Sequence, residues 1–299
     1  MRRKLPRLVR EEQRWFYLLI SPWILGFLIF VLYPMIASLY FSFTRYDVIN
    51  PPTWIGAGNF VNLFTDNIFW KSVLVTLEFS IGSVVSSIII GLILAVILNL
   101  RFRVVGVARV IVYLPQVLPI AAVSVLWLWL LNPQYGAVNS ALSLIGITGP
   151  NWLGTEGLVV PALIAINLWG VGGVAILLLA GLQGIPAELY EAARLDGAGM
   201  FRTFFAISVP MLSPVIFFNV VIGIINGLQI FVQSYIMTGG GPNYASYFYN
   251  LSLYNNAFQN FRLGLASAQG WILFVITSLL TYIVFRGGQR LVYYEAKRA

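Results

Sequence analysis

The amino-acid sequence predicts an all-α, polytopic membrane protein with six transmembrane helices, on three observations. Hydrophobic residues make up 59% of the 299 and charged residues only 9%, where a soluble domain has about 45–50% and about 25%. Six windows hold the roughly 20 predominantly apolar residues that a helical span requires. These windows are continuous apolar runs, unlike the alternating segments of a membrane β-barrel, and a helix satisfies its backbone polar groups internally.

In chain order the predicted spans are about 16–43, 72–98, 110–131, 158–182, 214–236 and 263–285. The first follows a basic stretch (Arg2, Arg3, Lys4, Arg7, Arg10, Arg14) that resembles the start of a signal peptide. Its apolar run exceeds the roughly 7–15 residues of such a region, so it reads as a retained first helix. Pro22 and Pro34 in the first span and Pro115 and Pro119 in the third predict kinks, because proline removes an intrahelical hydrogen bond. The connecting segments are too short to fold separately, so residues 1–299 read as one membrane domain. Lys and Arg number 15 in the N-terminus, the 100–109 turn, the 183–213 loop and the C-terminus, against Arg45, Lys71 and Arg262 in the alternate segments. The positive-inside rule then places both termini in the cytoplasm, and explains the basic charge without a nucleic-acid partner.

The absence of Cys and His removes thiolate and imidazole metal ligands, Cys nucleophiles and imidazole bases. No metal site is expected. Glu78 is the one acid well inside a predicted span, which leaves no acid–base pair for an intramembrane enzyme and no paired carboxylates for an ion-driven transporter. Its spacing of about two turns from Lys71 suits a structural or helix-packing role better than contact with a ligand.

The 183–213 segment is unlike a plain connector. Pro186 suits a helix start, Glu188 and Glu191 complement its dipole, and Leu189, Ala192 and Ala193 share one face. Gly197 and Gly199 then break the run, and 200–207 reads as a second short helix before Pro210. An apolar face left uncovered by its own chain calls for a partner protein.

Here the residues resemble a known family. Glu191-Ala192-Ala193, then Gly197, then Ile207-Ser208-Val209-Pro210 is similar to the EAA loop of ABC importer permeases, whose pattern is Glu-Ala-Ala, three residues, Gly, nine residues, Ile-x-Leu-Pro. Val209 in place of Leu is the one departure. The Ile185-Pro186-Ala187-Glu188-Leu189-Tyr190 lead-in, the Thr238-Gly239-Gly240-Gly241-Pro242 turn and the Tyr254 to Ala268 run are similar to the carbohydrate-uptake branch, in particular to first permeases of maltose and glycerol-phosphate type. The large inserted domain of the maltose type has no counterpart here. The resemblance implies a coupling helix seated in a groove of a cytoplasmic ATPase, with Glu188, Leu189, Glu191, Ala192, Ala193, Asp196 and Gly197 as its contact and turn residues. It further implies a second homologous permease, two ATPase subunits and an extracytoplasmic sugar-binding protein. The chain has no phosphate-binding loop of its own, so ATP and Mg are expected on the partner ATPase subunits and the chain carries no catalytic residue. A permease for phosphate, polyamine or peptide is the alternative that the loop alone leaves open.

A substrate path is expected in the fourth and fifth spans. Asn219, Asn226 and Gln233 fall at i, i+7 and i+14 on one helical stripe, with Gly223 on it and Gln229 beside it. Asn167 and Trp169 lie in the fourth span, in an Asn-Leu-Trp run similar to the substrate-lining helix of the maltose-type permease. Neutral amides beside aromatic faces suit a polyhydroxyl ligand, and no Lys or Arg accompanies them to hold an anion.

Overall fold

A computed structural model describes residues 7–100 and 104–291. Arg2, Arg3, Lys4, Arg101, Arg103, Lys297 and Arg298, used above for orientation, lie outside the described residues. Helix α1 (Arg7–Phe27) runs through a π-helical turn at Leu28–Leu32 into α2 (Tyr33–Ser42). A hairpin of β1 (Thr44–Arg45) and β2 (Thr53–Trp54) leads to α3 (Gly58–Thr65) and the 33-residue α4 (Asn67–Asn99). Asp66 caps α4 by accepting a hydrogen bond from the Ile68 amide at 2.8 Å, the ordinary role of Asp before a helix. Then come α5 (Val105–Val117), α6 (Ile120–Leu130), α7 (Ala137–Leu144), α8 (Glu156–Trp169), α9 (Gly172–Gln183) and α10 (Ala187–Leu195). Helix α11 (Met200–Thr203) continues through a π-helical turn at Phe204–Ser208 into α12 (Val209–Leu228); α13 (Tyr249–Tyr254) and α14 (Leu263–Leu291) follow.

Among the described residues, four helical stretches are long and apolar enough to cross a membrane: Glu11–Ser42, Asn67–Asn99, Met200–Leu228 and Leu263–Gly288. The other two predicted spans are broken rather than kinked. The third bends by 98° between α5 and α6, and the fourth by 53° between α8 and α9. Pro119 forces the first break: it has no amide for the ladder, and Leu118 before it is held extended at ψ 139°, as a residue preceding proline prefers. Gly170 and Val171 make the second break.

The fifth span differs most from its sequence reading. The helix begins at Met200 and ends at Leu228, whereas 214–236 was expected. Pro210 does not end the 200–207 helix, because the π turn at Phe204–Ser208 carries the chain into Val209 without a break. The expected separate second loop helix is therefore the root of this span. Gln233 lies past the helix end, at the start of a π-helical turn at Ser234–Thr238, so the seven-residue stripe holds for Asn219 and Asn226 only.

The chain forms two compact units. One comprises the residues up to Thr65 with Tyr254–Ile272; the other comprises Asp66–Leu253 with the residues from Leu273. In the first, buried Asn59 donates to the Ser42 carbonyl at the end of α2 and to the Thr44 carbonyl of β1 at 2.9 and 2.8 Å, the first an acceptor that the helix leaves open. Trp271 donates to Ser38 Oγ, tying α14 to α2.

In the second unit α4 is the central post, packed by α8, α9 and α12. One apolar cluster gathers Val75, Phe79, Val123, Leu163, Ile166 and Phe248. Another gathers Ala95, Leu98, Leu178, Leu182, Ile185 and Leu212. Small residues set the helix spacing, as is usual where lipid supplies no hydrophobic drive between helices. A Cβ on Gly172 would fall onto the Val112 carbonyl of α5, and one on Gly181 would come within 2.7 Å of Leu212 Cδ2 on α12. Gly172→Ala is therefore expected to cost about 1–3 kcal/mol through overpacking. Thermal unfolding of the detergent-solubilised chain checks it: the midpoint falls for Gly172→Ala and does not fall for Gly157→Ala, whose Cβ meets open space.

Candidate functional site

A cavity of about 470 Å³ opens within the second unit. Its wall takes Phe79, Ser83 and Ser87 from α4, Gln116 from the end of α5, Asn167, Trp169 and Gly170 from the end of α8, and Asn219, Gly223 and Asn226 from α12. Gln229 and Gln233 close it beyond the α12 terminus. All six residues expected on the substrate path, Asn167, Trp169, Gly223, Asn226, Gln229 and Gln233, thus border one space. Trp169 is half-buried and packs edge-on to Trp127 at 5.9 Å between ring centroids, an arrangement that fixes the indole plane.

Asn219 is the exception among the amides. Its Nδ2 donates to the Val215 carbonyl one turn back at 2.8 Å and so serves its own helix. Gly223 does more than open space: a Cβ there would come within 2.9 Å of Val84 Cγ2, so its smallness brings α12 up to α4. Gln116, which the sequence reading passed over, extends the amide set. Its neighbours Pro115 and Pro119 signalled the break, and a break at membrane depth is tolerated where it borders a cavity.

Among the described residues no Lys, Arg, Asp or Glu lines the cavity. Glu78 is not part of the wall; it is exposed, with Leu74 and Ile81, on the face of α4 turned away from Phe79, Ser83 and Ser87. The Gly239–Pro242 turn has Gly239 and Gly240 at φ 57° and 92°, the region that favours glycine. Buried Ser234 and Ser246 secure it, through Ser234 Oγ to the Ser246 carbonyl at 2.6 Å and Ser246 Oγ to Thr238 Oγ1 at 2.7 Å. Lys71 of α4 donates to the Asn243 carbonyl in the same loop.

The 183–200 loop holds the other candidate residues. Pro186 is the N-cap of α10, and Glu188 lies in its first turn. The helix ends in a Schellman motif: the Ala198 amide donates to the Ala193 carbonyl at 2.9 Å and the Gly197 amide to the Arg194 carbonyl at 3.1 Å. Gly197 has φ 72°, the left-handed conformation that this cap demands. Glu188, Leu189, Glu191, Ala192 and Asp196 are exposed. Ala193 is not: it is 9% exposed and turned into the protein. The expected Leu189, Ala192 and Ala193 face is thus rotated, with Ala193 and Tyr190 inward and Leu195, at 90% exposed, outward.

Among the described residues, four long apolar helices and two bent apolar pairs that border an amide-lined cavity define a polytopic membrane transport component. The family model of binding-protein-dependent transport system inner membrane components matches residues 87–293, and the chain belongs to that family. The trehalose/maltose transport system permease protein MalF of Thermococcus litoralis is 35% identical over 289 residues, covering 95% of this chain and 96% of that protein. The multiple sugar-binding transport system permease protein MsmF of Streptococcus mutans is 35% identical over 267 residues, covering 89% and 91%. A bacterial alginate ABC transporter, solved in complex with an alginate pentasaccharide-bound periplasmic protein, superposes with a TM-score of 0.81 at 26% identity, covering 95% of this chain and 98% of that one.

The chain contains no Cys, so single cysteines report accessibility directly. Cysteine at Asn226 or Gln116 is expected to react with a water-soluble thiol reagent in membranes. Cysteine at Leu74, on the far face of α4, is expected not to react.

Proposed function

We propose that this chain is a permease subunit of an ATP-driven importer that translocates a sugar or sugar derivative delivered by an extracytoplasmic binding protein. The observation that carries the reading is the cavity: lined by uncharged side chains, with six amides, of which Asn219 bonds its own helix, and one oriented indole. Amides supply both donors and acceptors to hydroxyl groups, and an indole face suits the apolar face of a sugar ring. The sugar-transport names of MalF and MsmF agree with it. A cavity for phosphate would be expected to hold Arg or Lys.

In this proposal the cavity is completed by a second homologous permease, and α10 seats in a groove on one of two ATPase subunits. ATP and Mg bind those subunits, and both termini face the same cytoplasmic side. Glu188, Glu191 and Asp196 present negative charge to the ATPase, and Leu189 and Ala192 fill the groove. Gly197 sets the turn; Ala193 supplies the inward contact that holds α10 in place. Closure of the ATPases on ATP draws the two coupling helices together and turns the cavity outward to the loaded binding protein, and hydrolysis resets it.

Two measurements test this. Tagged protein is expected to copurify with an ATPase subunit and a second permease; isolation of the chain alone under conditions that preserve such complexes would remove the assembly. In liposomes holding the complete importer, Asn226→Ala and Asn167→Ala are each expected to lower sugar uptake about tenfold, the effect of one lost hydrogen bond of about 1.4 kcal/mol, with assembly retained. Normal uptake in both variants would reduce these amides to helix packing.

The loop generates a separate expectation. Gly197→Val forces a β-branched residue into a left-handed conformation, and Glu191→Lys reverses the charge offered to the ATPase. Both variants are expected to reach the membrane and to lose substrate-stimulated ATP hydrolysis, measured in the reconstituted complex. Unchanged stimulation in both would sink the coupling assignment.

A further inference from the structure

Tyr190 and Ser208 lie on different elements and meet through their hydroxyls at 3.0 Å. Tyr190 is on the inward face of α10, between exposed Leu189 and Glu191, and packs against the apolar cluster of Leu98, Leu182 and Leu212. Ser208 is buried, at 4% exposed, and closes the π-helical turn from which α12 rises. π-helical turns inside α-helices are rare and gather at functional positions. The same cluster locks α9 to α12 where Gly181 meets Leu212. Helix α10 therefore packs through Tyr190 against residues of both α9 and α12, and the Tyr190–Ser208 pair ties it to the turn from which α12 rises.

From Ser208 the helix climbs eighteen residues to Asn226, about 27 Å at 1.5 Å per residue. A displacement of α10 can reach the cavity wall only if the base of α12 follows it. Apolar packing is non-directional; a hydroxyl pair at fixed geometry adds a directional tie between the two elements. We infer that the Tyr190–Ser208 hydrogen bond is the pin that makes the coupling helix and the cavity-lining helix α12 move as one body. Tyr190 and Ser208 are then positioning residues, acting through α12 and touching neither substrate nor ATP. The inference rests on the proposed role of α10 as the coupling helix.

The test is the number of substrate molecules transported per ATP hydrolysed by the complete importer in liposomes. That ratio compares complexes already assembled and turning over, so a fall in expression or stability does not move it. Tyr190→Phe keeps the ring and its packing and removes only the hydroxyl; Ser208→Ala removes the other. Each is expected to lower the ratio about fivefold, the factor that one net hydrogen bond of ordinary strength sets. The double variant is expected to match either single one, since both break the same bond, and Ser208→Thr, which keeps a hydroxyl, to restore the ratio. Glu191→Lys serves as the reference. If it lowers stimulation while Tyr190→Phe and Ser208→Ala keep the wild-type ratio, or if the two effects add, the pin is overturned and the coupling reading stands. If Glu191→Lys is itself without effect, the coupling reading falls and the pin with it.

Discussion

At hydrocarbon depth a backbone N–H or C=O without a partner costs several kcal/mol, and the helical fold follows from that cost. The places where this chain interrupts its helices are therefore informative. Helix α5 gives way to α6 at Leu118, α8 to α9 at Gly170 and Val171, and α12 stops at Leu228 just before Gln229. Leu118, Gly170, Val171 and Gln229 all border the same cavity. The amides at these breaks are held by local bonds, Leu118 to the Pro115 carbonyl, Gly170 to the Asn167 carbonyl and Gln229 to the Asn226 carbonyl. The breaks also deliver the side chains: Gln116, Asn167, Trp169 and Gln229 each lie within a turn of one. Interrupted helices and amide-lined cavity are two aspects of one solution.

Rigidity around the cavity comes from small residues. Gly223 brings α12 against Val84, Gly91 admits Val174 of α9, and Gly172 allows α9 to meet the α5 backbone. These contacts join the helices that carry the wall to those that carry the 183–200 loop, with no charged pair among them. The loop itself is fixed by backbone geometry, since the Schellman cap at Gly197 ends α10 and redirects the chain into the root of α12. A proposed device that links motion outside the membrane to the cavity needs this construction: stiff elements, and few of them.

Much of this was legible in the residues. Apolar length marks the regions of the four long helices and of the two bent pairs, and neutral amides beside Trp169 mark residues of the cavity wall. Gly197 was legible because few residues other than glycine hold the backbone its position demands. Three features were not. Hydropathy placed the fifth span at 214–236 because apolar windows do not register a π-helical turn, which let the helix begin at Met200 and pass Pro210. Gln233 was assigned to a helical stripe because seven-residue spacing assumes a helix that in fact ends at Leu228. Apolar periodicity puts Ala193 on the exposed face because it does not register that Tyr190 and Ala193 share the inward side of α10, with Tyr190 bonded to Ser208. Each miss has a tertiary cause, and tertiary contacts routinely override local pattern.

The central claim is that sugar passes through the space bordered by the three helix breaks. The most direct measurement is a structure of the assembled importer, with its second permease, ATPase subunits and sugar-loaded binding protein, trapped after the sugar has left the binding protein. The account predicts sugar density within contact of Asn167, Trp169, Asn226, Gln229 and Gln233 on this chain. Lipid tails filling that space, with the sugar lodged elsewhere in the assembly, would contradict it.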